Sequence, residues 1–157
     1  MRFILFLFGL LIFTSCDTSV KKAPNLLDCV PQNSFAAFQL NDQNMLENAL
    51  TNLPFLTEII ALDSSLNEDI KTIIPPVFSS KALLCFTPEG KSEIALSFIY
   101  KINPSDSLPE LSGDPFLYNN TTIRVSQKNQ RKIYSTTLKG LQIISTSQLV
   151  LENSIRN

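Results

Sequence analysis

The fold turns on residues 81–102, KALLCFTPEGKSEIALSFIYKI. Lys81 to Thr87 is a short, mostly apolar run, Pro88-Glu89-Gly90-Lys91 has the composition of a turn, and Ser92 to Ile102 is a longer run in which the period changes. There Ile94, Leu96, Phe98, Tyr100 and Ile102 stand two residues apart, the spacing that puts side chains on one face of a strand. Two such runs across a turn predict a β-hairpin.

Working upstream, Pro75-Pro76 separates this hairpin from a block of helical periodicity. Ser65-Leu66-Asn67-Glu68 has the pattern of a capping box, and Leu66, Ile70, Ile73 and Ile74 form the stripe behind it. Before it, Pro54 suits the first turn of a helix that buries Phe55, Leu56, Ile59, Ile60 and Leu62. Asp42 is placed to cap a further helix along Leu46, Ala49, Leu50 and Leu53. Ahead of these three helices, Ser34 to Leu40 reads as a first strand. Order is expected to begin between Asp28 and Pro31.

Downstream, Asn103 to Pro115 holds three prolines, Gly113 and small polar residues, which predicts a loop. Strands follow at Thr121–Gln127, Lys132–Leu138 and Leu141–Ser145, with Lys128-Asn129-Gln130-Arg131 and Lys139-Gly140 as their turns. Leu149, Val150, Leu151 and Ile155 then mark a final helix capped by Thr146 or Ser147. The expected class is α+β: one domain over 28–157, mainly an antiparallel sheet of about five to six strands, ordered β-ααα-β-β-β-β-β-α and covered on one side by helices. About 130 residues suffice for one domain with a real core. The abrupt close at Ile155-Arg156-Asn157, without a glycine cap or polar tail, predicts a domain incomplete at its C-terminus, a truncated half being the alternative.

The chain opens MRFILFLFGLLIFTSC. One basic residue, Arg2, precedes the unbroken apolar run Phe3 to Phe13, and Thr14 and Ser15 follow it, the layout of a secretory signal over residues 1–15. As a helix that run measures about 16 Å, against about 30 Å of bilayer core. It is too short to span.

Phe13-Thr14-Ser15-Cys16 resembles the lipobox of bacterial lipoproteins, with Phe13 where Leu is usual. The resemblance implies cleavage before Cys16 and lipidation of its sulfur, with residues 16–27 as a lipidated tether. It implies a bacterial cell-envelope protein held to a membrane, facing the periplasm or on the outer membrane. An ordinary cleavage site, giving a secreted and unanchored domain, and a weak uncleaved anchor are the alternatives. The order of "VPQNSFAAFQL", "NDQNMLENALTNLPFLTEI" and "GLQIISTSQLVLENSI" is also similar to the start of uncharacterised Bacteroidetes-type lipoproteins and to the domain of unknown function DUF3352. That likeness covers most of residues 28–157 and brings no established activity with it.

The composition removes several chemistries. Histidine is absent, which excludes Ser-His-Asp and Cys-His nucleophiles and the common zinc-protease sites. Four glycines, at 9, 90, 113 and 140, form neither a GxxxxGK[ST] loop nor a GxGxxG turn. Without residues 1–15 the formal charge is −2, from 12 basic and 14 acidic groups, so no attraction to nucleic acid is implied. Asp63, Glu68 and Asp69 cluster, yet near a helix start negative charge is favourable without any catalytic or metal role. No catalytic, cofactor or metal residue is assigned.

Two further features remain. Cys29 and Cys85 are candidates for a disulfide outside the cytoplasm, with two small buried hydrophobes as the alternative. Residues 17–114 carry 13 acidic against 6 basic groups, and 115–157 carry 1 against 6. Arg124, Lys128, Arg131, Lys132 and Lys139 fall on or beside the expected hairpin turn at 128–131, either facing an anionic partner or guarding sheet edges. Asn119-Asn120-Thr121-Thr122 contains two overlapping glycosylation sequons, of little meaning in a bacterium. The expected function is a lipid-anchored envelope module that binds or scaffolds a protein or glycan partner without chemistry of its own. The anchor-proximal part of a longer envelope enzyme is the competing expectation.

Overall fold

The computed structural model describes residues 25–76, 78, 81–103, 113–128 and 130–157. Among them the strands are β1 (Ala36–Leu40), β2 (Ala82–Glu89), β3 (Glu93–Lys101), β4 (Asp114–Tyr118), β5 (Thr121–Lys128), β6 (Arg131–Leu138) and β7 (Leu141–Ser145). Helices α1 (Gln43–Asn52), α2 (Pro54–Leu62) and α3 (Ser65–Ile73) lie between β1 and β2, and α4 (Gln148–Arg156) follows β7. A 3-10 turn, Leu26–Cys29, starts two residues ahead of the expected Asp28. The strands make one antiparallel sheet in the order β1-β2-β3-β7-β6-β5-β4. It is two meanders joined where Phe98 of β3 faces Ile144 of β7. The α+β class expected from the sequence is the one observed.

Seven strands exceed the expected five to six, because β4 begins inside the segment expected to be a loop. Pro115 cannot donate to a ladder, but β4 is an edge strand, where a missing donor is tolerated. Gly113 leads into it at a point where a Cβ would lie 1.8 Å from the Val125 carbonyl oxygen, so a side chain has no room. Asn119 and Asn120, with φ of 47° and 59°, then turn the chain directly into β5. That left-handed pair is the two-residue hairpin geometry whose twist matches the strands.

The second correction concerns the layers. On the first face Leu84, Phe86, Leu96 and Phe98 pack with Leu46 of α1, Leu56 of α2 and Leu66, Ile70 and Ile73 of α3. Phe98 also meets the rings of Phe78 and Tyr100, with centroids 5.3 and 5.5 Å away. On the opposite face Leu83, Cys85, Ile99, Ile123 and Ile143 pack with Leu151 of α4 and Cys29 of the 3-10 turn. The sheet is thus covered on both faces, not one. The physical reason lies in β2, buried at every position from Ala82 to Thr87, so side chains of both parities need cover.

Caps and hydroxyls fix the helices in place. Asp42 accepts from the Met45 amide at 2.8 Å and starts α1, and Pro54 opens α2. The expected capping box at Ser65 is absent: Asp63 Oδ1 instead accepts from the amide and hydroxyl of Ser65 at 2.9 and 2.6 Å, leaving Glu68 to pair with Lys71. At α4, Ser147 accepts from the Val150 amide at 3.3 Å. Just before it, the Thr146 amide donates to the Leu96 carbonyl at 3.0 Å and the Leu96 amide to Thr146 Oγ1 at 3.0 Å. Ser145 Oγ donates to the same carbonyl at 2.9 Å, which binds the start of α4 to β3.

Leu151 is fully buried under the second face and Leu149 is 57 % exposed on the same helix. Leu151→Ala is expected to cost about 2–5 kcal/mol in urea unfolding, and Leu149→Ala within about 0.5 kcal/mol of zero. Equal losses would mean that α4 is not a core layer.

Candidate functional site

The acidic trio near α3 separates into structural roles. Asp63 caps the helix and exposed Glu68 faces Lys71 across 3.2 Å. Asp69 is only 2 % exposed, and its Oδ2 accepts from Arg131 Nη1 of β6 at 2.6 Å, while its buried Oδ1 has no partner. Among the described residues no three acidic or cysteine side chains are grouped to hold a metal ion.

The basic residues expected around one turn are divided between opposite ends of the sheet. Arg131 and Lys128 flank the β5–β6 turn and dock it on α3, Lys128 Nζ lying 3.5 Å from the Thr72 carbonyl oxygen near the helix C-terminus. Lys139 belongs to the β6–β7 turn at the other end.

Burial pushes the Asp69 carboxyl above its ordinary 3.8, against the lowering by Arg131 and with help from the negative charges of Asp63 and Glu68. The folded chain therefore keeps this proton over a pH range in which the unfolded chain has lost it. Stability falls as pH rises from about 4 through the raised value. Asp69→Asn is expected to flatten that fall in urea midpoints measured from pH 4 upward, and an unchanged slope would contradict it.

Cys29 and Cys85 are both free and buried, so the candidate disulfide is not formed. They belong to the same apolar cluster on the second face, as the alternative of small buried hydrophobes expects. Burial pushes the Cys85 thiol up to about 12. Burial also raises Cys29, aided by Asp28 and opposed by Lys139. Neither has the thiolate character of a nucleophile. Iodoacetamide at pH 8 is expected to leave Cys85 unmodified in the folded chain and to alkylate it after urea, as followed by intact mass. Fast labelling of the native chain would contradict that burial.

A cleft of about 680 Å³ opens at the sheet end away from the β5–β6 turn. Four pieces of chain meet there: the 3-10 turn, the Asn119-Asn120 turn, the Lys139-Gly140 turn and the end of α4. Asn25 holds the 3-10 turn, its Oδ1 accepting from the Leu27 amide at 3.2 Å. Asn157 ties α4 to it by donating from Nδ2 to the Val30 carbonyl at 2.7 Å. Lys139 and Gly140 both have positive φ, 51° and 82°, so this turn too is left-handed.

The cleft's apolar lining is Cys29, Leu138, Leu141 and Ile155. Its polar lining includes the amides of Asn25, Asn119 and Asn120, the Asp28 carboxylate and the cations of Lys139 and Arg156, the last donating to Asn153 Oδ1. The volume lies within the range of small-molecule sites, about 300–1,000 Å³. A second depression, about 370 Å³, is lined by Glu89, Ser147 and Glu152. Its Ser147 hydroxyl donates to Glu89 Oε1 at 2.6 Å and accepts from Val150, the work of a helix cap.

Cys16 and most of the expected tether lie outside the described residues. Of the residues singled out in the sequence, Cys29, Asn119, Asn120 and Lys139 converge on the cleft, though as thiol, sequons and turn cation they carried no common signal. Asn25, Asp28 and Arg156 gave no signal at all, since their meeting depends on how the second face is covered. No family model, no curated protein and no solved structure matches the chain.

Proposed function

We propose that this chain is a lipid-anchored protein of a bacterial cell envelope whose α+β domain is a non-catalytic binding module. The observation that carries the reading is the succession of Arg2, the apolar run Phe3 to Phe13, Thr14-Ser15-Cys16 and a polar segment ending in Pro24-Asn25. Several acyl chains on Cys16, at about 0.8 kcal/mol per buried methylene, give durable attachment. Among the described residues no helix is long and apolar enough to cross a membrane.

Asn25, where the described domain begins, stands nine residues past Cys16. Fully extended this stretch reaches about 30 Å, which keeps the domain close to the bilayer. Asn25 is itself in the cleft wall, so the anchor enters beside the cleft. The binding rather than catalytic assignment is supported by the occupation of the reactive side chains. Asp63 and Ser147 cap helices, Asp69 holds Arg131, and Glu89 accepts from Ser147.

Expression of the full chain in a bacterial host with labelled palmitate is expected to label the mature protein and place it in the membrane fraction. Cys16→Ala is expected to remove both the label and the fractionation. Continued labelling of the variant, or no label on the parent, overturns the anchor.

A further inference from the structure

We propose that the cleft between the 3-10 turn and the end of α4 binds an acidic saccharide, which deepens the binding-module reading and rests on it. Three chemistries meet there in the arrangement such a ligand needs. Asn119 and Asn120 are both exposed on their turn, and each amide offers a donor and an acceptor a few ångströms apart, as neighbouring sugar hydroxyls do. Asn25 spends its Oδ1 on the Leu27 amide and Asn157 its Nδ2 on the Val30 carbonyl, leaving the Nδ2 of the first and the Oδ1 of the second for a ligand. Leu138 and Ile155, both half-buried, supply an apolar surface suited to the C–H face of a pyranose ring.

The charges select among polyols. Lys139 and Arg156 present two cations, the guanidinium suited to a bidentate carboxylate. Asp28 opposes them, and both Asp28 and Lys139 are near enough to act on the Cys29 thiol. Two side-chain cations against one carboxylate suit a ligand with single, spaced anionic groups better than a polyphosphate, while the Asp28 carboxylate accepts from hydroxyls. A lone small anion would leave most of the 680 Å³ and the amides unused. No aromatic side chain lines the cleft, which removes the stacking surface that a nucleobase would use.

The position of the cations is built into the fold. Lys139 sits at φ 51°, a conformation that asparagine tolerates better than most residues, so Lys139→Asn removes the charge while keeping the turn. Arg156→Gln does the same at an exposed helix end. Lys128→Gln, at the β5–β6 turn on the opposite end of the sheet, is the control.

The test uses the full chain in micelles of a sugar-free detergent, titrated calorimetrically with trigalacturonic acid, maltotriose and inorganic phosphate. The expected result is saturable binding of trigalacturonic acid tighter than about 1 mM, at least tenfold tighter than maltotriose. Lys139→Asn and Arg156→Gln should each weaken it by about tenfold, and Lys128→Gln by less than twofold. No saturation by trigalacturonic acid, equal binding of maltotriose, full competition by equimolar phosphate, or indifference to both cleft variants would each overturn the proposal. Palmitate labelling is independent of this titration. Failure here with labelling intact removes the ligand class and leaves the anchored module standing.

Discussion

Everything in this domain depends on burying the β2–β3 hairpin from both sides. β2 is inaccessible from Ala82 to Thr87 and β3 from Ala95 to Tyr100, so each strand presents apolar side chains in two directions. A sheet with one covered face would leave Leu83, Cys85 and Ile99 in water. At about 25 cal/mol per Å² of apolar surface, each large side chain is worth about 1.5–3 kcal/mol of burial, which is why a second layer has to form. Three short helices cover one face. A single helix and a 3-10 turn, far apart in the chain, cover the other.

That second layer also creates the cleft. The 3-10 turn and α4 lie more than a hundred residues apart, yet Asn157 bonds to Val30 and Leu151 and Cys29 share one apolar cluster. Two small elements cannot cover the end of a seven-stranded sheet completely. The gap they leave falls beside the Asn119-Asn120 and Lys139-Gly140 turns, whose backbone places polar side chains at its rim. The concavity is thus a consequence of how the second face is closed, and it stands next to the segment through which the proposed anchor would enter.

The electrostatics divide the molecule by task. At one end of the sheet Arg131 and Lys128 bind the β5–β6 turn to α3, and the Asp69 carboxylate pays for its burial with a raised pKa. At the other end Lys139 and Arg156 line open space. A cation against a buried carboxylate holds two elements together, whereas a cation on a cleft rim stands open to solvent. Residues of one type, close in sequence, thereby acquire different uses.

Much of this was present in the chain itself. The apolar run Phe3 to Phe13 and the FTSC segment are local, and the alternation of Ile94, Leu96, Phe98 and Tyr100, the Asp42 and Pro54 helix starts and the Ser147 cap all follow from spacing and residue type within a few positions. The sequence by itself thus determined the α+β class and the order of the four helices and of every strand but β4. The fourth strand escaped because Pro115 and Gly113 read locally as loop, and only an edge position in the sheet makes them compatible with a strand. That Asp69 bonds Arg131, that Cys29 and Cys85 share one apolar cluster, and which turn residues meet at a cleft were decided by tertiary structure alone. The physical reason is that each depends on contacts between segments distant in the chain, set by which faces of the sheet demand cover rather than by any local pattern.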